Sequence, residues 1–133
     1  MKRKLFILLI LLSAALLITG CQSEGSQAAG NPAAKALVTY LNALSTKDEA
    51  ALTTLSCADW EANALLELDS LQSVQTQLEG LSCQQNASSD GSVTVTCQGK
   101  IVSSYGGEVQ EFDLSQRTYK MVEQGGDWLV CGY

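Results

Sequence analysis

The spacing of apolar residues changes once along this chain, and this change constrains the fold more than any other feature. As far as about residue 78, apolar residues recur three or four positions apart, as on one face of a helix. From Leu81 onward they alternate with polar residues, as on one face of a strand. Helices followed by strands are typical of an α+β domain. The sequence therefore predicts N-terminal helices packed on an antiparallel meander sheet of about four strands.

Local signals predict the helices of the first half. Asn31 is a typical N-cap and Pro32 suits the first helical position, so a first helix is expected over residues 32–45. Thr46 and Glu49 fit a capping box, which places a second helix over about residues 47–56.

A third helix is predicted from about residue 58, with a row of apolar residues that begins at Trp60. Leu71, Val74 and Leu78 are spaced three and four apart. This spacing favours more helix over residues 71–79, with Gly80 as its end.

Turn residues divide the second half into strands. Residues 86–91 predict a hairpin loop, and residues 106–107 and 125–126 are glycine pairs that predict turns. The strand over about 108–122 changes the phase of its apolar residues, which we interpret as a β-bulge near Gln116. A final strand is expected over residues 127–133.

The N-terminus has the order of a secretory signal. Three basic residues precede an apolar run over residues 5–18, and Cys21 follows small residues. The run has 14 residues, which is short for a transmembrane helix, since about 20 are needed. Residues 22–31 are small and polar, as in a flexible tether.

The segment Ile18-Thr19-Gly20-Cys21 resembles the lipobox of bacterial lipoproteins. The resemblance implies that residues 1–20 are a signal peptide and that Cys21 carries a diacylglycerol, which holds the protein to a membrane outside the cytoplasm. The expected organisation is a signal peptide at 1–20, a lipidated cysteine and tether at 21–31, and one domain at 32–133. An uncleaved membrane anchor is the alternative.

Charge and composition exclude several classes of function. Removing residues 1–20 takes away three of the 8 basic side chains and none of the 14 acidic ones, which leaves a net charge of −9. This balance argues against nucleic acid as a partner, because phosphate binding needs clustered Lys and Arg. The sequence has no histidine, so imidazole catalysis and histidine metal ligands are excluded. We expect no metal site and no cofactor.

Four cysteines besides Cys21 predict two disulfides, because an even number in an exported chain is typical of a disulfide framework. Cys83 and Cys97 are equally far from Asp90, so a three-residue loop of residues 89–91 would set them opposite each other. Cys57 would then pair with Cys131. Pairs Cys57–Cys83 and Cys97–Cys131 are the alternative.

A second resemblance covers most of residues 32–133. The segments at 38–44 and 47–52 are similar to the opening of the nuclear transport factor 2-like (cystatin-like) superfamily, and residues 125–130, with Trp128, are similar to its last strand. The resemblance implies a cone-shaped sheet wrapped around helices. Members include enzymes, ligand binders and small lipoproteins, so the fold does not select a function.

Few residues are candidates for a site. The cone implied by the resemblance makes Tyr40, Trp60 and Trp128 candidate cavity-lining residues, and Asp59 and Glu61 candidate carboxylates beside Tyr40. None of these carries a spacing peculiar to catalysis, so no catalytic residue is assigned. Arg117 and Lys120 lie on the long strand among Glu111 and Asp113, where cross-strand ion pairing explains them without a ligand.

Two functions follow from these features. The first is a lipid-anchored extracytoplasmic domain that binds or interacts without catalysis, its protein or small-molecule partner being undefined by the sequence. The alternative is an enzyme that acts on a small apolar molecule in the cone. A closed apolar pocket with a carboxylate at its base would favour the enzyme, and a cone filled by its own side chains would exclude it.

Overall fold

The computed structural model describes residues 30–133. Three helices come first and five strands follow: α1 (Pro32–Thr46), α2 (Glu49–Thr54), α3 (Ala58–Leu71), β1 (Gln75–Ser89), β2 (Ser92–Tyr105), β3 (Glu108–Asp113), β4 (Thr118–Gln124) and β5 (Asp127–Val130). The strands form one antiparallel sheet in the order β1-β2-β4-β5, with β3 also paired to β2. The helices pack on this curved sheet, so the predicted α+β architecture is confirmed.

The predicted start of α1 is confirmed, whereas the predicted capping box is wrong. The Asn31 side chain accepts a hydrogen bond from the Ala33 N–H, and Pro32 is the first helical residue. Thr46 instead ends α1, and Lys47 follows in the left-handed conformation with φ of 60°. The N-cap of α2 is Asp48, because the turn at Lys47 moves the first free N–H groups beyond the reach of Thr46.

The predicted helix over residues 71–79 is wrong. α3 ends at Leu71, and β1 already begins at Gln75. Leu78 lies opposite Ile101 in β2, where it is half-buried beside exposed neighbours. Val74 and Leu78 are four apart, a separation that fits either period, and pairing with β2 decided for the strand because it satisfies the backbone of β1.

Gly80 does not end a helix but lies in an irregularity of the β1–β2 ladder. The register shifts between Glu79 and Ser82, and Gly99 is opposite with φ of 104°. A Cβ atom at Gly99 would lie 2.5 Å from the Glu79 carbonyl oxygen. Only glycine therefore allows the two backbones to approach this closely.

The β1–β2 hairpin sets Cys83 directly opposite Cys97, as predicted, but its loop is shorter than predicted. Ser89 pairs with Ser92, so the turn consists of Asp90 and Gly91 alone, both with positive φ. A second register shift, between residues 85 and 88, compensates for the missing loop residue. Two-residue turns of this kind suit the twist of a hairpin.

The long third strand of the prediction is divided in two. β3 and β4 pair with different parts of the same edge of β2, and a 3₁₀ turn at Leu114–Gln116 joins them. The predicted β-bulge near Gln116 is therefore wrong, although the change of phase lies where the sequence placed it. The turn buries Leu114, and the Asp113 side chain caps it at the Ser115 N–H.

Buried side chains fill the space between helices and sheet. α1 contributes Leu37, Tyr40, Leu41 and Leu44, and the inner face of the sheet contributes Val95, Ile101, Tyr119, Met121 and Val130. The prediction that Val93, Val95, Cys97 and Ile101 share one buried face is confirmed. β5 ends at Val130, three residues before the predicted end of the last strand, although the Cys131 N–H still donates to the Lys120 carbonyl oxygen.

The signal peptide, the lipobox and nearly all of the tether lie outside the described residues, so those predictions remain predictions. Among residues 30–133, no helix is long and apolar enough to cross a membrane. The structure contains disulfides Cys57–Cys131 and Cys83–Cys97, the same two pairs that the hairpin register favoured. Two disulfides fit an oxidising environment outside the cytoplasm.

Candidate functional site

Two of the three candidate cavity residues lie together. Trp60, at the start of α3, donates a hydrogen bond from Nε1 to the Tyr40 hydroxyl over 3.1 Å. Tyr40 is fully buried, and burial raises the pKa of its hydroxyl well above its usual range. Tyr40 therefore acts as a neutral hydrogen-bond partner that fixes the Trp60 ring.

Trp128 lies elsewhere. It lines a groove of about 390 Å³ beside the first turn of α1, between Pro32, Ala36 and Leu55. Trp60 lines a different cleft, described below. The two tryptophans therefore do not form a shared ligand-stacking pair.

An ion pair that the sequence analysis missed lies beside Trp60. The Arg117 Nη1 atom is 2.6 Å from Glu67 Oε1, and the side chains of Arg117 and Glu67 are only 26% and 16% exposed. Burial alone would lower the pKa of Arg117, but the hydrogen bond and the charge of Glu67 raise it above its usual value. The prediction of cross-strand ion pairing is wrong for Arg117, because its partner Glu67 lies on α3. Lys100 is the residue that pairs with Glu111, over 2.6 Å.

Tyr133 covers this ion pair. Its ring centroid is 4.0 Å from the Arg117 guanidinium carbon, a cation–π geometry, and its hydroxyl donates to Glu67 Oε1 over 3.4 Å. The ring also makes edge-on contacts with Trp60 and Tyr119, at centroid distances of 5.2 and 5.4 Å. Tyr40, Trp60, Tyr119 and Tyr133 form an aromatic cluster around one arginine and one carboxylate.

Two buried oxygen atoms of this cluster have no hydrogen-bond partner among the described residues: Glu67 Oε2 and the Tyr119 hydroxyl. Burial raises the pKa of Tyr119 to about 12, an effect that nearby Arg117 only partly offsets. Buried polar atoms without a partner are uncommon in folded proteins and mark places to look for function.

The cluster forms one wall of an open cleft of about 390 Å³, which we call the α3 cleft. Its polar lining consists of Asn63, Glu67, Ser70 and Arg117, and its larger apolar lining consists of Trp60, Leu66, Leu71, Ile101, Phe112 and Tyr133. Apolar walls with a few polar groups are typical of binding sites for organic molecules.

The described residues contain no candidate metal-binding cluster, and the two carboxylates singled out from the sequence lie outside the lining of the α3 cleft. No group of three or more candidate metal ligands occurs between residues 30 and 133. Asp59 is exposed and Glu61 is half-buried, and neither is among the residues that line the α3 cleft. Glu67 is the only carboxylate in the lining of this cleft, and Arg117 already occupies one of its oxygens.

Two signals in the sequence could have located the ion pair. Arg117 has the same parity as the buried Tyr119 and Met121, which places it on the inner face of β4. Glu67 follows Trp60 by seven residues, so both lie on one face of α3. Once the strand is known to restart at Thr118, the sequence therefore predicts that Arg117 and Glu67 both face inward.

Comparison with known proteins gives two structures of partial similarity. No family model matches the sequence, and the search of curated proteins finds no match. Aln2 from a Streptomyces species is 12% identical over 72% of this chain and 80% of its own, with a TM-score of 0.48. A five-substitution variant of Rd1NTF2_05 is 15% identical over 72% of this chain and 89% of its own, with a TM-score of 0.43.

Proposed function

We propose that this protein is a lipid-anchored extracytoplasmic binding domain that holds a ligand in the α3 cleft and catalyses no reaction. The observation that carries the proposal is an open apolar cleft whose only carboxylate is held by Arg117 over 2.6 Å. The space deeper inside the fold is filled by side chains such as Tyr40, Leu41 and Val95, all fully buried. A substrate would find no enclosed chamber there, whereas a bound partner finds an exposed apolar wall.

The anchor is supported by the sequence of residues 1–21, and the two disulfides are consistent with its location outside the cytoplasm. We expect Cys21→Ser to abolish incorporation of radioactive palmitate in growing cells and to block the signal-peptide cut. Ser23→Ala is the matched control, since it changes the tether and leaves the lipobox intact. An unlabelled wild-type protein would contradict the anchor.

The cleft can be tested with small neutral aromatic probes such as phenol and indole. We expect saturable changes in the amide NMR spectrum around Leu66, Ile101 and Tyr133. Leu66→Asp should abolish them, because a charge on the apolar wall must be desolvated when the probe binds. Trp128→Ser is the matched control, since Trp128 lines the other groove. Changes confined to the Trp128 groove, or none at all, would contradict the proposed site.

One observation favours the enzymatic alternative, which is the unpartnered Glu67 Oε2 atom beside the cleft. A base acting on a small apolar molecule would need that oxygen to face the reacting atom. Probe contacts centred on Glu67 rather than on the apolar wall would support this second function. Contacts centred on Leu66 and Phe112 would support binding alone.

A further inference from the structure

The exposed large apolar side chains of the described residues lie in one region of the molecule. They are Leu66 (69% exposed), Tyr105 (69%), Val109 (61%), Phe112 (44%) and Tyr133 (50%). Phe112, on β3, lies opposite the buried Ile101 and faces the inner side of the sheet, whereas Val109 lies on the outer face of β3. Tyr105 precedes the turn into β3, and Leu66 and Tyr133 line the α3 cleft. Such a concentration of exposed apolar side chains marks an interaction surface.

The strand in the middle of this region has a free edge. Among the described residues, β3 pairs only with β2, and all six of its residues are exposed. The pair Tyr105–Glu108 closes the two-residue glycine turn and is the hydrogen-bonded kind, so the next pair, Ser104–Val109, directs its N–H and C=O groups outward. Val109 therefore offers backbone hydrogen bonds to another strand. Natural proteins usually block such edges.

The inner face of β3 meets two clefts that lie side by side. Phe112 lines the α3 cleft. Glu108 and Gln110 line a second cleft of about 310 Å³, the β3 cleft, together with Val74 and Ser103. A strand added beside β3 would direct every second side chain toward these clefts.

The charges near β3 determine which kind of strand could be added beside it. The outer face carries Glu111 and Asp113, and Lys100 is shared between Glu79 and Glu111 at 3.5 and 2.6 Å. A second copy of β3 would bring its own Glu111 and Asp113 against these, which like-charge repulsion disfavours. A strand with Lys or Arg toward the outer face and apolar side chains toward the clefts matches both faces.

We propose that the edge of β3 binds an extended segment of another protein in which apolar and basic residues alternate, by adding it as a strand to the sheet. This inference rests on the proposed binding function and names the class of partner. The backbone hydrogen bonds would give affinity, and the two clefts and the outer carboxylates would give specificity.

The probe is a capped six-residue peptide of alternating lysine and valine, added to the full chain in detergent micelles. We expect saturable binding, with slower hydrogen exchange at the Val109 and Glu111 amides. The same peptide with glutamate in place of lysine should bind at least about tenfold more weakly because of like-charge repulsion. A peptide with alternate backbone nitrogens methylated should not bind, since it cannot pair with the edge.

Two variants of the chain separate the edge from its side chains. Val109→Pro removes the outward N–H and should abolish peptide binding, whereas Val109→Ala keeps the N–H and should retain most of it. Phe112→Ser should weaken binding by removing the inner wall. If Val109→Pro fails to fold, Phe112→Ser and the methylated peptide still test whether the peptide binds to the edge of β3.

Several results would overturn the proposal. One is a Val109 amide that exchanges slowly without peptide, which would mean that a second copy or residues 22–29 already cover the edge. A dimer in sedimentation analysis that dissociates on Val109→Pro would assign the edge to a second copy. Undiminished binding to Val109→Pro, or of the methylated peptide, would also refute strand addition. Phenol and indole binding and palmitate labelling do not depend on the edge, so the failure of this inference is distinguishable from failure of the proposed function.

Discussion

At the scale of single residues, the centre of the site is one carboxylate surrounded by hydroxyl groups. The charge of Glu67 raises the pKa values of Tyr40, Tyr119 and Tyr133, after the larger effect of burial in each case. Arg117 is the one cation that compensates for it among the residues that line the α3 cleft. The cluster therefore resists any additional negative charge, whether from a ligand or from ionisation of a tyrosine.

Tyr119 makes this resistance measurable at alkaline pH. Its pKa is about 12 in the folded protein and about 10 in the unfolded chain, so the unfolded chain loses the proton first. The contribution to the free energy of unfolding is complete below about pH 10 and decreases between about pH 10 and 12, by at most about 1.4 kcal/mol per pH unit. We expect urea midpoints of Tyr119→Phe to fall less between pH 8 and 11 than those of the wild type.

The same substitution should cost little at pH 8, about 1 kcal/mol, because the Tyr119 hydroxyl makes no hydrogen bond of good geometry and loses only its interaction with Arg117. Tyr105→Phe is the control, since Tyr105 is 69% exposed. A pH dependence identical to that of the wild type would mean that the hydroxyl of Tyr119 reaches solvent.

The ion pair gives a second prediction at this scale. Arg117→Met leaves the Glu67 carboxylate, whose side chain is 16% exposed, without its charged partner. We expect a loss of about 1.5–3 kcal/mol in the free energy of unfolding, the range for hydrogen bonds to charged groups. Adding Glu67→Leu should recover part of this loss, because the unpaired charge is removed. The control is Lys120→Met, since Lys120 is exposed on β4. This substitution should change the free energy of unfolding by less than about 0.5 kcal/mol. Equal urea midpoints for Arg117→Met and Lys120→Met would contradict a structural role for the pair.

At the scale of elements, the sequence predicted correctly those features that depend on neighbouring residues. The sequence predicted the cap at Asn31, the turns and the buried face of β2, because each depends on residues that are close in sequence. The sequence did not predict the start of β1, because the four-residue separation of Val74 and Leu78 fits either period. Only pairing with a strand more than twenty residues away decides between helix and strand. The 3₁₀ turn was mistaken for a bulge because either feature changes whether odd or even residues of the strand face inward.

The irregularity at Gly99 provides the prediction for this scale. Gly99→Ala would place Cβ within 2.5 Å of the Glu79 carbonyl oxygen and 2.7 Å of the Gly80 carbonyl oxygen, in addition to the strain of a positive φ. Gly126 also has a positive φ, of 94°, but a Cβ atom added there would have no other atom within 4 Å. Gly126→Ala is therefore the control for backbone strain without a close contact. Strain alone costs about 1–3 kcal/mol, so both variants should be destabilised and Gly99→Ala more. Equal thermal midpoints for the two would mean that the β1–β2 ladder moves apart without cost.

At the scale of the whole molecule, the structure brings together two of the three residues that the sequence singled out as candidate cavity residues. Tyr40 and Trp60 were found because they stand out in composition and helical position, and the structure brings them together. Glu67, Arg117 and Tyr133 were not found, because they meet only where α3, the residue before β4 and the C-terminal residues come together. The spacing of residues can place Arg117 and Glu67 on inward faces, but which faces meet depends on long-range packing.

The Cys57–Cys131 disulfide holds that C-terminal segment, and it supplies the last prediction. It joins the start of α3 to the residues after β5 across 74 positions, whereas Cys83–Cys97 spans 14 within one hairpin. Chain entropy predicts a loss of between 4 and about 4.7 kcal/mol for Cys57→Ser/Cys131→Ser and about 3 kcal/mol for Cys83→Ser/Cys97→Ser. Urea unfolding of the two double variants measures this order.

The long-range disulfide should also control the site, unlike the hairpin disulfide. Without it, only noncovalent contacts hold Tyr133, including its ring contacts, its cation–π contact with Arg117 and its hydrogen bond to Glu67. We therefore expect the Trp60 ring to become more exposed. Trp60 fluorescence, read in a Trp128→Phe background, should shift to longer wavelength in Cys57→Ser/Cys131→Ser and stay unchanged in Cys83→Ser/Cys97→Ser. A non-reducing peptide map that links Cys83 to a residue other than Cys97 would refute both the register of the hairpin and this distinction. An unchanged Trp60 spectrum in both variants would mean that packing alone keeps Tyr133 over the cleft.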